Sequence, residues 1–259
     1  LMQWIMIFQK ELIEDWRNYK WVWVPLVFIV LCVMDPLTTY YMPVILDSVG
    51  GLPEGTVIPA PDLQPGEAIM LSLAELSSLG VLVVVAISMA VIAGERKSGV
   101  AQLVLVKPVR YLTYITAKWA AKLLLVFTSF LLGMLTSWYY VYLLFGDLAV
   151  SEFIGLFFFY FIWLIFVVSL TIFYNTVVIN PGLVLTLTVG TIMLMSGFNQ
   201  IFSHQLPWFP NSISQHITTF LSEGKVPDAL WGGASVTLLL TVLLILVSNI
   251  MLQRKEIGE

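Results

Sequence analysis

Few side chains in this sequence could carry out chemistry, and their placement limits which chemistry is open to them. Two carboxylates, Asp35 and Glu75, fall inside long apolar runs. An ionisable group at such a depth is a candidate for binding a cation or relaying a proton. The simpler reading is that both reach the outer interface, where a charge costs far less than at mid-membrane. The histidines, His204 and His216, are twelve residues apart with no cysteine beside them, which argues against a metal site. Cys32 is the single cysteine, so no disulfide framework is possible. No H-E-x-x-H, G-x-S-x-G or glycine-rich phosphate loop occurs. Gly224-Lys225 lacks the upstream glycine of a nucleotide-binding loop. The chain is therefore not expected to be an enzyme by itself.

The elements that would position these groups follow from composition. Of 259 residues, 59% are hydrophobic and only 11% charged, with a mean hydropathy of +0.93. A globule in water cannot hide so much apolar surface, so the remainder must face lipid. A net charge of −4 also excludes a nucleic-acid binder. Six runs, over 21–41, 69–93, 119–145, 153–174, 183–202 and 230–251, are long enough to cross a hydrocarbon core of about 30 Å as helices. The ten-residue alternation of barrel strands is missing. The expected architecture is an all-α integral membrane protein, a single transmembrane domain over 1–259 with no nucleotide-binding domain.

Lysine and arginine set the orientation. All of them except Lys225 fall before the first run, in or beside the second-to-third connection, or after the last run. That distribution predicts that both termini are cytoplasmic, and the expected location is the plasma membrane as a multi-pass protein. No signal peptide is expected, because the first residues include acids and no short apolar core with a cleavage site.

Between the runs, three segments have helical spacing. In 1–20, Trp4, Ile5, Phe8, Leu12 and Trp16 recur every three or four residues, with Lys10, Glu11, Glu14, Asp15 and Arg17 elsewhere on the wheel. This predicts a helix lying in the cytoplasmic membrane interface. In the second-to-third connection, Ser98 can cap a short helix over 99–106 that ends at Lys107, before Pro108. Far along the chain, Ile213, Ile217, Phe220 and Leu221 predict a short amphipathic helix at the outer surface, stopped by Gly224. By contrast, 47–68 is rich in proline and glycine and reads as an extended outside loop. Small residues four apart, Ser129, Gly133 and Ser137, and Ala86, Ala90 and Gly94, mark close-packing faces within or between subunits. Asn175, Asn180 and Asn199 lie near run ends and are expected to satisfy turns.

The second-to-third connection resembles a known family. Gly94-Glu95-Arg96-Lys97-Ser98-Gly99, then Leu103, Lys107-Pro108-Val109-Arg110 and Lys118, look like the cytoplasmic signature of ABC-2-type permeases, the membrane subunits of type V ABC transporters. The resemblance implies that 99–106 is a coupling helix seated in a groove of a separate ATPase. Glu95, Arg96, Lys97, Ser98, Gly99, Leu103, Lys107, Pro108 and Arg110 would form that interface. It further implies two ATPase copies carrying ATP and magnesium, with no cofactor in this chain. A second permease subunit, identical or a related paralogue, would complete the assembly among membrane lipids. By the family pattern, runs one, two and five line the path, with Asp35 and Glu75 near its outer mouth. The long proline-rich first outside loop departs from the lipid and polysaccharide exporters of the family and leaves the substrate open. Export of an amphipathic or lipidic molecule, peptide or antibiotic is the function so implied. The alternatives are a secondary carrier or channel using Asp35 and Glu75, a membrane-embedded enzyme, and a scaffold that anchors an ATPase. A carrier would carry charge near the midplane, and an enzyme would cluster His, Asp, Glu or Ser at one depth.

Overall fold

Residues 2–49, 62–100 and 110–257 are described by the computed structural model, and among them only helices and turns occur. Six helices are long and apolar enough to cross a membrane: Lys20–Ser48, Pro65–Lys97, Tyr111–Leu144, Val150–Val177, Pro181–Phe202 and Asp228–Arg254. This is a multi-pass membrane protein. Each of the six apolar runs becomes a helix, and most continue several residues past one or both ends of the run. Backbone polar groups near the bilayer are best satisfied inside a helix, so it continues into flanking sequence. Three prolines, Pro25, Pro36 and Pro43, are absorbed within the first span.

The fourth span is the centre of the bundle, with 67% of its apolar window buried, against 17% for the fifth and 28% for the sixth. The third span packs along the first, and its small-residue stripe is the reason they can approach. A Cβ on Gly133 would meet Cys32 Sγ at 2.9 Å and the Phe28 carbonyl oxygen at 3.0 Å. At the next turn, the hydroxyls of Ser72 and Ser137 lie 2.7 Å apart, and Ser72 donates to the Cys32 carbonyl at 2.5 Å. This stripe is thus a contact within the chain. Ala86 and Ala90 of the second span are instead exposed.

The second span is not one continuous α-helix. It runs as α-helix over Pro65–Glu75, widens into a π-turn over Leu76–Gly80, resumes over Val81–Ser88, breaks, and ends with Ala93–Lys97. Beyond it, Gly99 takes φ +78° and Ser98 donates its hydroxyl to the Glu95 carbonyl. Ser98 therefore closes the preceding helix, and the expected 99–106 helix cannot start at Gly99. Leu103, Lys107, Pro108 and the rest of that helix from 101 onward lie outside the described residues.

Two short helices flank the spans. Met2–Arg17 folds back onto the third span through a turn in which Tyr19 has φ +55°. We call the end of the bundle where it sits the near end. At the opposite, far end, Ile213–Glu223 stops at Gly224, φ +68°, as its sequence predicts. Its Ile213, Ile217 and Phe220 are buried against the bundle. A Cβ on Gly155 would come within 2.7 Å of the Phe220 ring. The apolar side expected to meet lipid is spent on protein contact.

Replacing Gly133 by leucine should push the third span off the first and cost roughly 1–3 kcal/mol. Gly197→Leu, where nothing lies within 4 Å of the added Cβ, is the control. Thermal unfolding midpoints in detergent should fall for the first variant and hold for the second.

Candidate functional site

The N-terminal helix presents three faces, one more than an interfacial helix needs. Met2, Ile5, Met6, Ile13 and Trp16 form an exposed apolar stripe. Lys10, Glu14 and Arg17 are exposed beside it, and with Ile13 and Asn18 they line an open cleft. Against the third span lie Trp4, Ile7 and Phe8, together with two carboxylates, Glu11 and Asp15. Glu11 is 2% exposed and Asp15 0%. Their burial beside Trp4 and Phe8 corrects the expectation that these acids lie elsewhere on the wheel from an apolar side shared by Trp4, Ile5, Phe8, Leu12 and Trp16.

The reason lies on the third span. Lys118 and Lys122, one helical turn apart, are 1% and 2% exposed. Lys122 donates to both Asp15 carboxylate oxygens at 2.6 Å. Lys118 donates to Glu11 at 2.5 Å and to the Val91 carbonyl at 3.0 Å. Two carboxylates four residues apart therefore face two lysines four residues apart, turn for turn. Trp4 fixes the register by donating its indole N–H to Thr116 at 3.2 Å and stacking on Phe8 at 5.1 Å.

Glu95 joins this cluster from the end of the second span. It lies 3.0 Å from Lys118, accepts the Tyr114 hydroxyl proton at 2.5 Å, and is hydrogen-bonded by Lys10. Lys20 completes the set, 3.0 Å from Asp15. Partial burial disfavours the charged Lys10 ammonium, but the hydrogen bond to Glu95 and the charges of Glu11, Glu95 and Glu14 outweigh it, and its pKa stands above the ordinary lysine value. Glu11, Glu14 and Glu95 bring carboxylate oxygens within 4.8 Å of one another, a spacing that could hold a metal ion. The lysine ammoniums already stand where a cation would neutralise them. Lys10 lies 3.3 Å from both Glu11 and Glu14. Glu11, Glu14, Asp15 and Glu95 are matched one for one by Lys10, Lys20, Lys118 and Lys122.

Asn175 of the fourth span reinforces the same end. Its carbonyl oxygen accepts the backbone N–H groups of Ile92 and Ala93 at 3.1 and 3.0 Å. Its amide donates to the carbonyls of Ser88 and Thr171 at 3.1 and 2.8 Å. One side chain thereby repairs both sides of the break after Ser88. Arg96 adds a hydrogen bond to the Thr176 carbonyl at 3.1 Å. Of the other expected turn residues, Asn180 does cap its own helix, accepting from Gly182.

Among the residues singled out from sequence, the structure turns Glu95 and Arg96 inward and leaves Lys97 and Arg110 exposed. Asp35 and Glu75 are each partly buried and have no ion-pair partner among the described residues. Sequence reasoning misses Glu11, Asp15, Lys118 and Lys122 as a site. Their matched spacing of four is the signal that could have found them.

Removing one partner of a buried pair leaves an uncompensated charge, at a cost of about 3–5 kcal/mol, whereas replacing both by apolar groups is far milder. Lys122→Met should therefore lower the unfolding midpoint sharply, and adding Asp15→Leu should recover much of the loss. Asn175→Leu strands two buried N–H groups, at roughly 1–3 kcal/mol each. Denaturation of the purified variants measures all three.

Compared with known proteins, the chain matches no family model. It is similar along nearly its whole length to YxlG of Bacillus subtilis, an uncharacterized transmembrane protein. The two are 29% identical over 250 residues, which cover 96% of this chain and 97% of YxlG.

Proposed function

We propose that this chain is the permease subunit of an ATP-binding cassette transporter of the ABC-2 type, driven by ATPase subunits on separate chains. The observation that carries the reading is the construction of the near end. The N-terminal helix, the last turn of the second span and the first turns of the third are tied by one buried ionic cluster. A protein gripping the connection after Gly99 would therefore move three elements together rather than bend a loop. The signature Gly94-Glu95-Arg96-Lys97-Ser98-Gly99 sits at that connection, with Lys97 and Arg110 exposed for a partner.

In this reading the near end is cytoplasmic, which agrees with the lysine and arginine distribution. The exposed apolar stripe Met2, Ile5, Met6, Ile13 and Trp16 lies in the membrane interface. A second permease subunit covers the least buried spans. The fifth span has outward glycines, Gly190 and Gly197, where an added methyl group would meet nothing within 4 Å, and such positions suit close helix approach. The cargo is an amphipathic or lipidic molecule, exported at that interface past Asp35 and Glu75, while ATP and magnesium bind the partner.

Glu95 is a poor probe of coupling because its loss breaks the ionic cluster. The double variant Lys97→Glu, Arg110→Glu touches only exposed side chains. Wild-type protein drawn from native membranes in mild detergent should bring a P-loop ATPase with it. The variant should lose that ATPase, or its transport-linked turnover, at an unchanged unfolding midpoint. If no nucleotide-binding protein accompanies the wild type, the assignment fails.

A further inference from the structure

A polar cavity of about 110 Å³ lies between the second, fourth and fifth spans, toward the far end. Its polar lining is Ser77, Tyr160, Trp163, Ser196, Asn211 and Ser214. The π-turn over Leu76–Gly80 puts Ser77 there, and Pro210–Ser212 with the start of the next helix closes it from the far end. Ser77 lies twelve residues into its span and Tyr160 ten into its own, which places the cavity roughly 15 Å along these helices. Lipid at such a depth offers no hydrogen bonds, so unpaired polar groups must find a partner in the protein, water or a ligand.

The internal partners do not suffice. Ser77 donates to the Leu73 carbonyl at 2.8 Å, so the Tyr160 hydroxyl, 2.9 Å away, must donate to Ser77 and keep its own lone pairs free. Asn211 donates one N–H to Ser196 at 2.6 Å, leaving its other N–H and its carbonyl oxygen unused among the described residues. Trp163 is only 6% exposed, yet its indole N–H has no acceptor among them either. One turn beyond Ser196 on the same helix face, buried Asn199 leaves its carbonyl oxygen without a donor among the described residues.

No lining residue is charged, so an ion would lose its hydration there with no countercharge. Free donors and free acceptors stand side by side, which suits a group that does both at each atom: a hydroxyl, and better a set of them. The rings of Tyr160 and Trp163 add apolar faces for the carbons between. We infer that this cavity binds the uncharged, hydroxyl-bearing headgroup of a glycerol- or sugar-headed amphiphile. Ser78, Leu79 and Gly197, next to lining residues Ser77 and Ser196, are exposed and leave an outward way for its acyl chain. The site makes no use of an ATPase, so it stands or falls apart from the transporter reading.

The test uses the full chain in nanodiscs and a photoactivatable alkyl glucoside. Label should appear in peptides spanning 160–163, 192–196 or 210–214. Unlabelled alkyl glucoside should compete at least about tenfold better than a chain-matched alkyl trimethylammonium. Trp163→Phe, which keeps the ring and drops the N–H, and Asn211→Leu should each weaken labelling roughly tenfold. Ser214→Ala, at the partly exposed rim, serves where either variant misfolds. Equal competition by the cationic amphiphile overturns the inference, as does labelling unchanged in the variants, or a cavity that holds only water. Native mass spectrometry separates the sources: a glycolipid retained through purification marks a resident lipid, and binding of added probe alone marks a passing molecule.

Discussion

Lysine ammoniums buried at the head of an apolar helix impose the constraint around which the near end is built. Lys118 and Lys122 lie within the first twelve residues of the third span and are almost wholly covered. An unpaired ammonium there costs several kcal/mol. Snorkelling to the headgroups, the usual escape for lysine near a span end, is closed by the N-terminal helix lying over them. That helix supplies the answer as well as the obstruction, because Glu11 and Asp15 arrive at the same spacing as the two lysines. Register, direction and depth of the helix are set together, since a slip of one turn would leave one carboxylate and one ammonium unpaired. The cluster thus contributes specificity more than net stability.

From that fixed helix the rest of the near end can be built outward. Tyr19 adopts a left-handed conformation uncommon for a bulky residue, which the short turn into the first span requires. Glu95 binds the second span to the cluster. Asn175 binds the fourth span to the break after Ser88, where backbone hydrogen bonds of the α-helix lapse. The second span is consequently held by side chains from two neighbours at its weakest point. The backbone groups freed by the break are met by the Asn175 side chain rather than left facing lipid.

The transmembrane architecture was legible because lipid imposes one length and one periodicity on each span. Six apolar runs could hardly fold otherwise, and even their proline content did not matter, as Pro36 within the first span illustrates. The cluster was harder to read. A helical wheel sorts residues into apolar and charged and assigns the charged ones to water, which puts Glu11 and Asp15 on the wrong side. Pairing them with Lys118 and Lys122 requires comparing spacings across more than a hundred residues of sequence. The far-end cavity left no sequence signal at all, because several elements contribute polar residues whose individual positions are ordinary for a helix.

Polar groups at the two ends of the bundle are handled in opposite ways, and the difference bears on what each end is for. At the near end every carboxylate of the cluster has an ammonium within 3.3 Å. Groups so fully matched have nothing left with which to recognise a small molecule, and they resist rearrangement. At the far end Trp163, Asn211 and Ser214 retain donors or acceptors without a partner among the described residues, in a cavity with no charged lining. Matched charge is concentrated at one end and unspent hydrogen-bonding capacity at the other, and the second span joins them, with its break at the near end and its π-turn at the cavity. The second and fourth spans each reach from one end to the other, through Glu95 and Ser77 in the second and Asn175 and Tyr160 in the fourth.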